Sequence, residues 1–139
     1  MAKSGAKFRF NTRELAAGIR SVLMAQPLKA QRAMNAVGGY LAGEAKDRAP
    51  IDDGFLTADI TNKLIVNPKS YSTAIYIPSN ATSSEYAVAM HEGIYNLGVD
   101  SQDKQRKIGK RVGRKFITRA IDENRGDIRK IIEHELKVR

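Results

Sequence analysis

Cysteine is absent from this 139-residue chain, and histidine occurs only twice. Without cysteine there is no disulfide framework and no thiolate metal site. The same absence fits a reducing compartment. Two histidines alone make a zinc site a poor expectation. No apolar run approaches the length of about 20 residues that spans a bilayer. The opening "MAKSGAKFRF" is basic but has neither an apolar core nor a small-residue cleavage site, so no signal peptide is expected. Asn80-Ala81-Thr82 matches a glycosylation sequon, to which no role is assigned without a secretory signal.

The usual catalytic signatures are missing too. His91-Glu92 and His134-Glu135 begin like a zinc-protease helix, but neither has a second histidine four residues on. Gly93 to Gly98 has the glycine spacing of a phosphate loop without the Lys-Ser/Thr that follows it, and "IGKRVGRK" has its lysines and glycines in the wrong order. There is no Gly-x-Ser-x-Gly. Asp52, Asp53 and Asp59 could be drawn as an acidic cluster, but Asp52 and Asp53 precede Gly54, where aspartate favours a turn by bonding nearby amides. His91 beside Glu92 could be an acid–base pair of a hydrolase. A single histidine without an oriented partner is more simply a polar residue at an interface or a sheet end. The expectation is a protein that is not an enzyme and uses no cofactor or metal.

What is present suits one soluble domain over residues 1–139. Hydrophobic residues make up 42% and charged residues 28%, enough apolar surface for a single core but not for two. Residues 1–10 are expected to be a flexible N-terminus. Asn11-Thr12-Arg13-Glu14 has the form of a capping box, and Leu15, Ile19, Val22 and Leu23 follow at helical spacing. Pro27 ends that helix or opens the next. A second helix is predicted over 28–48, with Met34, Val37, Leu41 and Ala45 facing inward. Its glycine pair, at 38 and 39, costs about 1 kcal/mol per residue against alanine, which implies tight packing or a kink near Gly38.

From Phe55 the period changes to two and predicts a strand over 55–66. "NPKS" at 67–70 is a turn, and 71–77 alternates again, so an antiparallel hairpin is expected. Residues 85–93 fit either a third strand or a short helix. Residues 93–114 show no sustained period and are expected to be a long basic loop. Such a loop in a compact domain is usually functional or disordered. Helical spacing returns with Phe116, Ile117, Ile121, Ile128 and Ile132, and predicts one long C-terminal helix with Gly126 outside. The class is α+β, with N-terminal helices, a small antiparallel sheet and a long C-terminal helix.

The formal charge is +9, from 24 Lys and Arg against 15 Asp and Glu. Such a field favours polyanions or acidic protein surfaces. Lys104, Arg106, Lys107, Lys110, Arg111, Arg114 and Lys115 crowd into 104–115. This segment could grip phosphates or an acidic partner, or be a solvated loop. It contains no aromatic residue for base stacking, which argues against sequence-reading RNA recognition. A small basic nucleic-acid-binding protein using 104–115 is therefore one functional reading.

A second reading comes from three segments in order. "AKDRAPIDDGFLTADI" (45–60) contains Ala-Pro-x-Asp-x-Gly-x-Leu between a helix and a strand pattern, on Pro50, Asp52, Gly54 and Leu56. "YAVAMHEG" (86–93) runs from Tyr86 to Glu92 and Gly93. "GRKFITRAID" (113–122) places Phe116 at the start of a helix. Together, from about Ala45 onward, these resemble the small head–tail joining, or tail-completion, neck proteins of tailed bacteriophages. The match is not complete: Ile94 stands where that pattern has Thr, Lys115 precedes Phe116 in place of proline, and Arg119 replaces a later proline. The resemblance implies a structural virion protein of the neck, assembled in the host cytoplasm. It implies a homo-oligomeric ring, with a hexamer one candidate size, between the head connector and the tail tube or terminator proteins. The genome DNA would pass through its lumen, and no membrane is involved. The loop carrying Lys104, Arg106, Lys107, Lys110, Arg111 and Arg114 would order on assembly and contact DNA or protein.

Overall fold

A computed structural model describes residues 7–9, 27–51, 54–68 and 70–136. In chain order the elements are β1 (Lys7–Arg9), α1 (Pro27–Arg48), α2 (Phe55–Asp59), β2 (Thr61–Asn67), β3 (Ser70–Tyr76), α3 (Ser84–Glu92), α4 (Val99–Ile108), α5 (Phe116–Asp122) and α6 (Arg125–Glu135). The class is α+β. The sheet has the order β1-β3-β2 and is antiparallel throughout. The predicted hairpin is β2–β3, in register from Thr61 opposite Tyr76 to Asn67 opposite Ser70.

α1 is the central rod. Pro27 occupies its first turn, where a missing N–H costs nothing. Ala33, Val37, Leu41 and Ala45 are buried against α5, α6 and the hairpin. The core closes around Phe116, Ile117, Ile75 and Ile77, all essentially without exposed surface. Gly38 resolves the question posed by the glycine pair in favour of tight packing. A Cβ placed there would lie 2.6 Å from the Asn62 amide nitrogen and collide with the Thr73 hydroxyl, so the hairpin approaches the bare helix backbone. Gly39 faces open space.

Four expectations are corrected, and one falls elsewhere. Residues 7–9 of the supposedly flexible N-terminus pair with β3 as an edge strand. The first predicted helix, from the capping box at Asn11 through Leu23, like Asp52 and Asp53, lies outside the described residues. The strand predicted over 55–66 begins only at Thr61. Gly54 adopts a left-handed backbone (φ 88°) and starts a helical turn, in which Ala58 N–H donates to Gly54 O at 3.1 Å. Leu56 and Ile60 are buried while Ala58 is exposed, so the short apolar pattern was an i, i+4 pair and not an alternation. Residues 93–114 are not one loop, because 99–108 form α4, closed by Gly109 in the left-handed region (φ 69°).

The long C-terminal helix is two helices, broken at Glu123 and Asn124. The Asn124 amide donates to Ala120 O (2.8 Å) and to Glu44 Oε1 (3.1 Å), and its carbonyl oxygen lies 2.8 Å from the Tyr40 hydroxyl. This side chain competes with the helix's own backbone bonds and anchors the break on α1. The apolar period survives because Ile117 and Ile121 before the break, and Ile128 and Ile132 after it, all reach the same core.

Gly38 and Gly39 should respond oppositely to alanine. Gly39→Ala should stabilise by about 0.5–1 kcal/mol through helix propensity, while Gly38→Ala should destabilise by about 1–3 kcal/mol through overpacking. Urea unfolding of the two variants checks this, and equal shifts would contradict the packing.

Candidate functional site

The basic segment is largely built into the fold. α1 ends with carbonyls that have no partner within the helix. The Lys104 ammonium, from α4, donates to Lys46 O (2.5 Å) and Ala49 O (2.7 Å) at that end. Burial holds the lysine's pKa below its ordinary value, and Asp47 partly offsets this. Gly113 N–H donates to Arg48 O at 2.8 Å. Ser101, also from α4, accepts from Ile51 N–H at 2.8 Å and donates back to Ile51 O at 3.2 Å.

Arg48 is only 4% exposed. Its guanidinium reaches Glu44 Oε1 and the Glu44 carbonyl, each at 2.9 Å, and Glu123 Oε1 at 2.9 Å, joining α1 to the end of α5. Lys110 meets Asp47 (2.9 Å) and Glu44 (3.3 Å), and the bond to Asp47 raises its pKa. Burial works to raise the pKa of Glu44, but bonds from Arg48 and Lys110 outweigh it and hold the carboxyl below its ordinary range. The Tyr40 hydroxyl, pushed up to about 12 by burial and by its bond to Asp127, completes this network at its far side.

The six cations expected to form a partner-binding loop are therefore not equivalent. Lys104 and Lys110 are committed to α1. Arg106 pairs with Asp103, one turn back on α4. Arg114 donates through Nε to Glu92 O at 3.1 Å. Lys107 and Arg111 are exposed and have no ion-pair partner among the described residues. Arg119 shapes the loop from beneath, donating to Arg114 O (2.9 Å) and Arg111 O (2.7 Å). Sequence reasoning missed Tyr40, Glu44, Arg48 and Asn124. The Glu44–Arg48 spacing was a usable i, i+4 signal. Their bonds to residues 75 to 87 positions away left no trace in local pattern.

The three segments that carry the phage-neck resemblance meet in space. Pro50 and Leu56 from the first, and Tyr86 from the second, line one groove of about 380 Å³ with Met90, Tyr95 and Leu97. Asp59, near the end of the first segment, is no acidic site, since its carboxylate accepts from Ser83 N–H (2.9 Å) and Ser83 Oγ (2.7 Å) and anchors the start of α3. The second and third segments are clasped at His91, in α3, the short helix of the two alternatives open for 85–93. The ring is fully buried, with its Nδ1 2.7 Å from Glu92 Oε2 and its edge against Phe116 at 4.9 Å between centroids. Nε2 lies 3.4 Å from the Thr118 backbone nitrogen, and Lys115 N–H donates to His91 O at 2.7 Å. Lys115 also holds Glu92 through Nζ and adopts a left-handed backbone (φ 61°), unusual for a side chain with a Cβ. Gly93 is required here because a Cβ would sit 2.5 Å from Ala89 O. A histidine packed in this way is a fastening between α3 and α5, with no open face toward a substrate.

Among the described residues, no group of three or more His, Asp or Glu converges as metal ligands would. No protein-family model, curated protein or solved structure matches this chain.

Burial holds His91 below its ordinary pKa of 6.5, against the attraction of Glu92. As pH falls below 6.5 the unfolded chain takes up a proton that the folded ring resists, so stability falls. Glu44 and Glu92, held below 4.5, add their own losses only beneath that value. Stability measured by urea unfolding should therefore decline between pH 6.5 and 4.5, and His91→Gln should flatten this decline whatever its effect at about pH 7.5. An unchanged slope in the variant would contradict the assignment.

Proposed function

We propose that this chain is a structural protein of the neck of a tailed bacteriophage particle, joining the head connector to the tail as one subunit of a symmetric ring. The observation that carries this reading is the convergence of the three resembling segments. Pro50, Leu56 and Tyr86 share one groove, and Glu92, Gly93 and Phe116 share the His91 clasp beside it. The first two segments share a surface, and the third is fastened to the second through buried Phe116. The function is then assembly, in which complementary surfaces pair when neighbouring subunits present them. A ring requires contacts between different surfaces of successive copies.

The alternative, nucleic-acid binding through 104–115, retains fewer cations than the sequence promised, since Lys104 and Lys110 are used internally. With Lys107 and Arg111 the fully open pair, binding to duplex DNA should show a log–log salt slope of only about −2, against about −6 for the whole segment. A steep slope from the purified chain would favour the nucleic-acid reading. For the neck reading, electron microscopy of particles made without this protein should show separate heads and tails. Normally joined particles would overturn it.

A further inference from the structure

The turn between α4 and α5 is wound around one guanidinium. Gly109, Gly113 and Lys115 all have positive φ (69°, 123° and 61°), which curls the backbone of 109–115 back on itself. Arg119, in α5, enters this curl from beneath. Its Nε donates to Arg114 O (2.9 Å) and its Nη1 to Arg111 O (2.7 Å). The side chains of Arg111 and Arg114 leave the same turn exposed to solvent. The remaining nitrogen of Arg119, Nη2, is shielded from solvent and has no hydrogen-bond partner among the described residues. A shielded charged donor left unpartnered is costly, and a bound ion is one of the few reasons for a fold to keep it.

No carboxylate is paired with these three arginines. Arg111 and Arg119 have no ion-pair partner among the described residues, and Arg114 donates only to the Glu92 carbonyl (3.1 Å). The acids beside them are engaged elsewhere. Glu123 is held by Arg48 at 2.9 Å, and Glu92 by Lys115 and His91. Burial holds the Arg119 pKa below its ordinary value, Glu123 opposes this, and Arg111 and Arg48 add to it. Burial raises the Tyr95 pKa while Arg119 and Arg114 both act against it, which sets these two guanidinium groups near one phenol.

We propose that Arg111, Arg114 and Arg119 form a site for one carboxylate, presented by an acidic segment of a partner protein. A carboxylate offers two oxygens to paired N–H groups, and the planar fork of arginine matches it. Arg111 and Arg114 are long, exposed and free of ion pairs, so they can turn onto the anion, which opens Nη2 of Arg119 to one of its oxygens. Duplex DNA is the less suited occupant. It presents a charge about every 1.7 Å of its axis and is gripped by cations strung along a track. Here Lys104 and Lys110 are turned onto α1 and Arg106 onto Asp103, so the uncommitted guanidinium groups gather at one turn. The site goes beyond the neck reading, and its failure would leave that reading untouched.

NMR of the arginine Nε–H groups of the full chain tests the site. A short polyglutamate peptide, inorganic phosphate or duplex DNA is added at one fixed physiological salt concentration. The peptide should shift the Arg111, Arg114 and Arg119 signals saturably, and phosphate should displace it. Arg111→Gln combined with Arg114→Gln should weaken the peptide several-fold. Lys107→Gln combined with Arg129→Gln removes the same charge from exposed positions elsewhere and should leave its affinity nearly unchanged. The Arg111 side chain makes no hydrogen bond among the described residues, so Arg111→Gln alone should weaken the peptide several-fold in a folded chain even if the double variant unfolds. Equal losses in the two double variants, or no saturable shift at the three arginines, would overturn the site. Duplex DNA that binds through the same three signals more tightly than the peptide would overturn the choice of a carboxylate.

Discussion

The C-terminal end of α1 is where the rest of the structure is fastened. A helix end leaves carbonyls facing outward with a partial negative charge, and cations are favoured there. Lys104 supplies one at 2.5 and 2.7 Å from two of those oxygens, and Gly113 N–H takes a third. Arg48, on the last turn itself, reaches Glu44 behind it and Glu123 ahead of it. α4, the loop after it and the end of α5 thus converge on one helical turn. Arg48 is 4% exposed and Lys104 is partly buried, so removing either cation leaves acceptors at this helix end without their partner, which costs more than the lost bond alone.

This arrangement changes what the basic run means. In the sequence it is a block of like charge and suggests a surface for polyanions. In the fold, two of its lysines neutralise a helix end and an acidic pair, and two of its arginines bond to neighbouring groups. The segment's main work is to close the domain. By fixing α4 against Ile51 and α1, it also holds one wall of the apolar groove in place, because Ser101 and Gly98 belong to that wall. The groove shared by the first two resembling segments therefore rests on the same cations that first looked like the binding site.

The apolar periods made much of the fold legible. The inner face of α1, the β2–β3 hairpin and the isoleucines of α5 and α6 follow directly from spacing. The errors share a physical cause. At Phe55 to Ile60, a handful of residues fits a period of two and an i, i+4 pair equally well, and the left-handed Gly54 decided between them. At Asn124, a single side chain drawn toward Glu44 and Tyr40 broke a helix whose apolar stripe continues unchanged. At 99–108 the helix has little apolar face to reveal itself, since it is held by Ser101 and Lys104 through polar bonds to distant backbone. Polar contacts between residues 50 or more positions apart decide the site, and no local pattern encodes them. The three resembling segments were visible in the sequence, but the groove shared by the first two, and the His91 clasp that ties the third to the second, were not.

The claim that the basic segment is a structural clamp is tested most directly by comparing two lysines of α4 that differ only in what they touch. Lys104→Met keeps the stem and removes the ammonium from the end of α1, and thermal or urea unfolding should show a loss of about 1–3 kcal/mol. Lys107→Met, on the exposed side, should stay within about 0.5 kcal/mol of the parent. If the two variants unfold alike, the end of α1 does not depend on Lys104 and the basic segment is not a clamp.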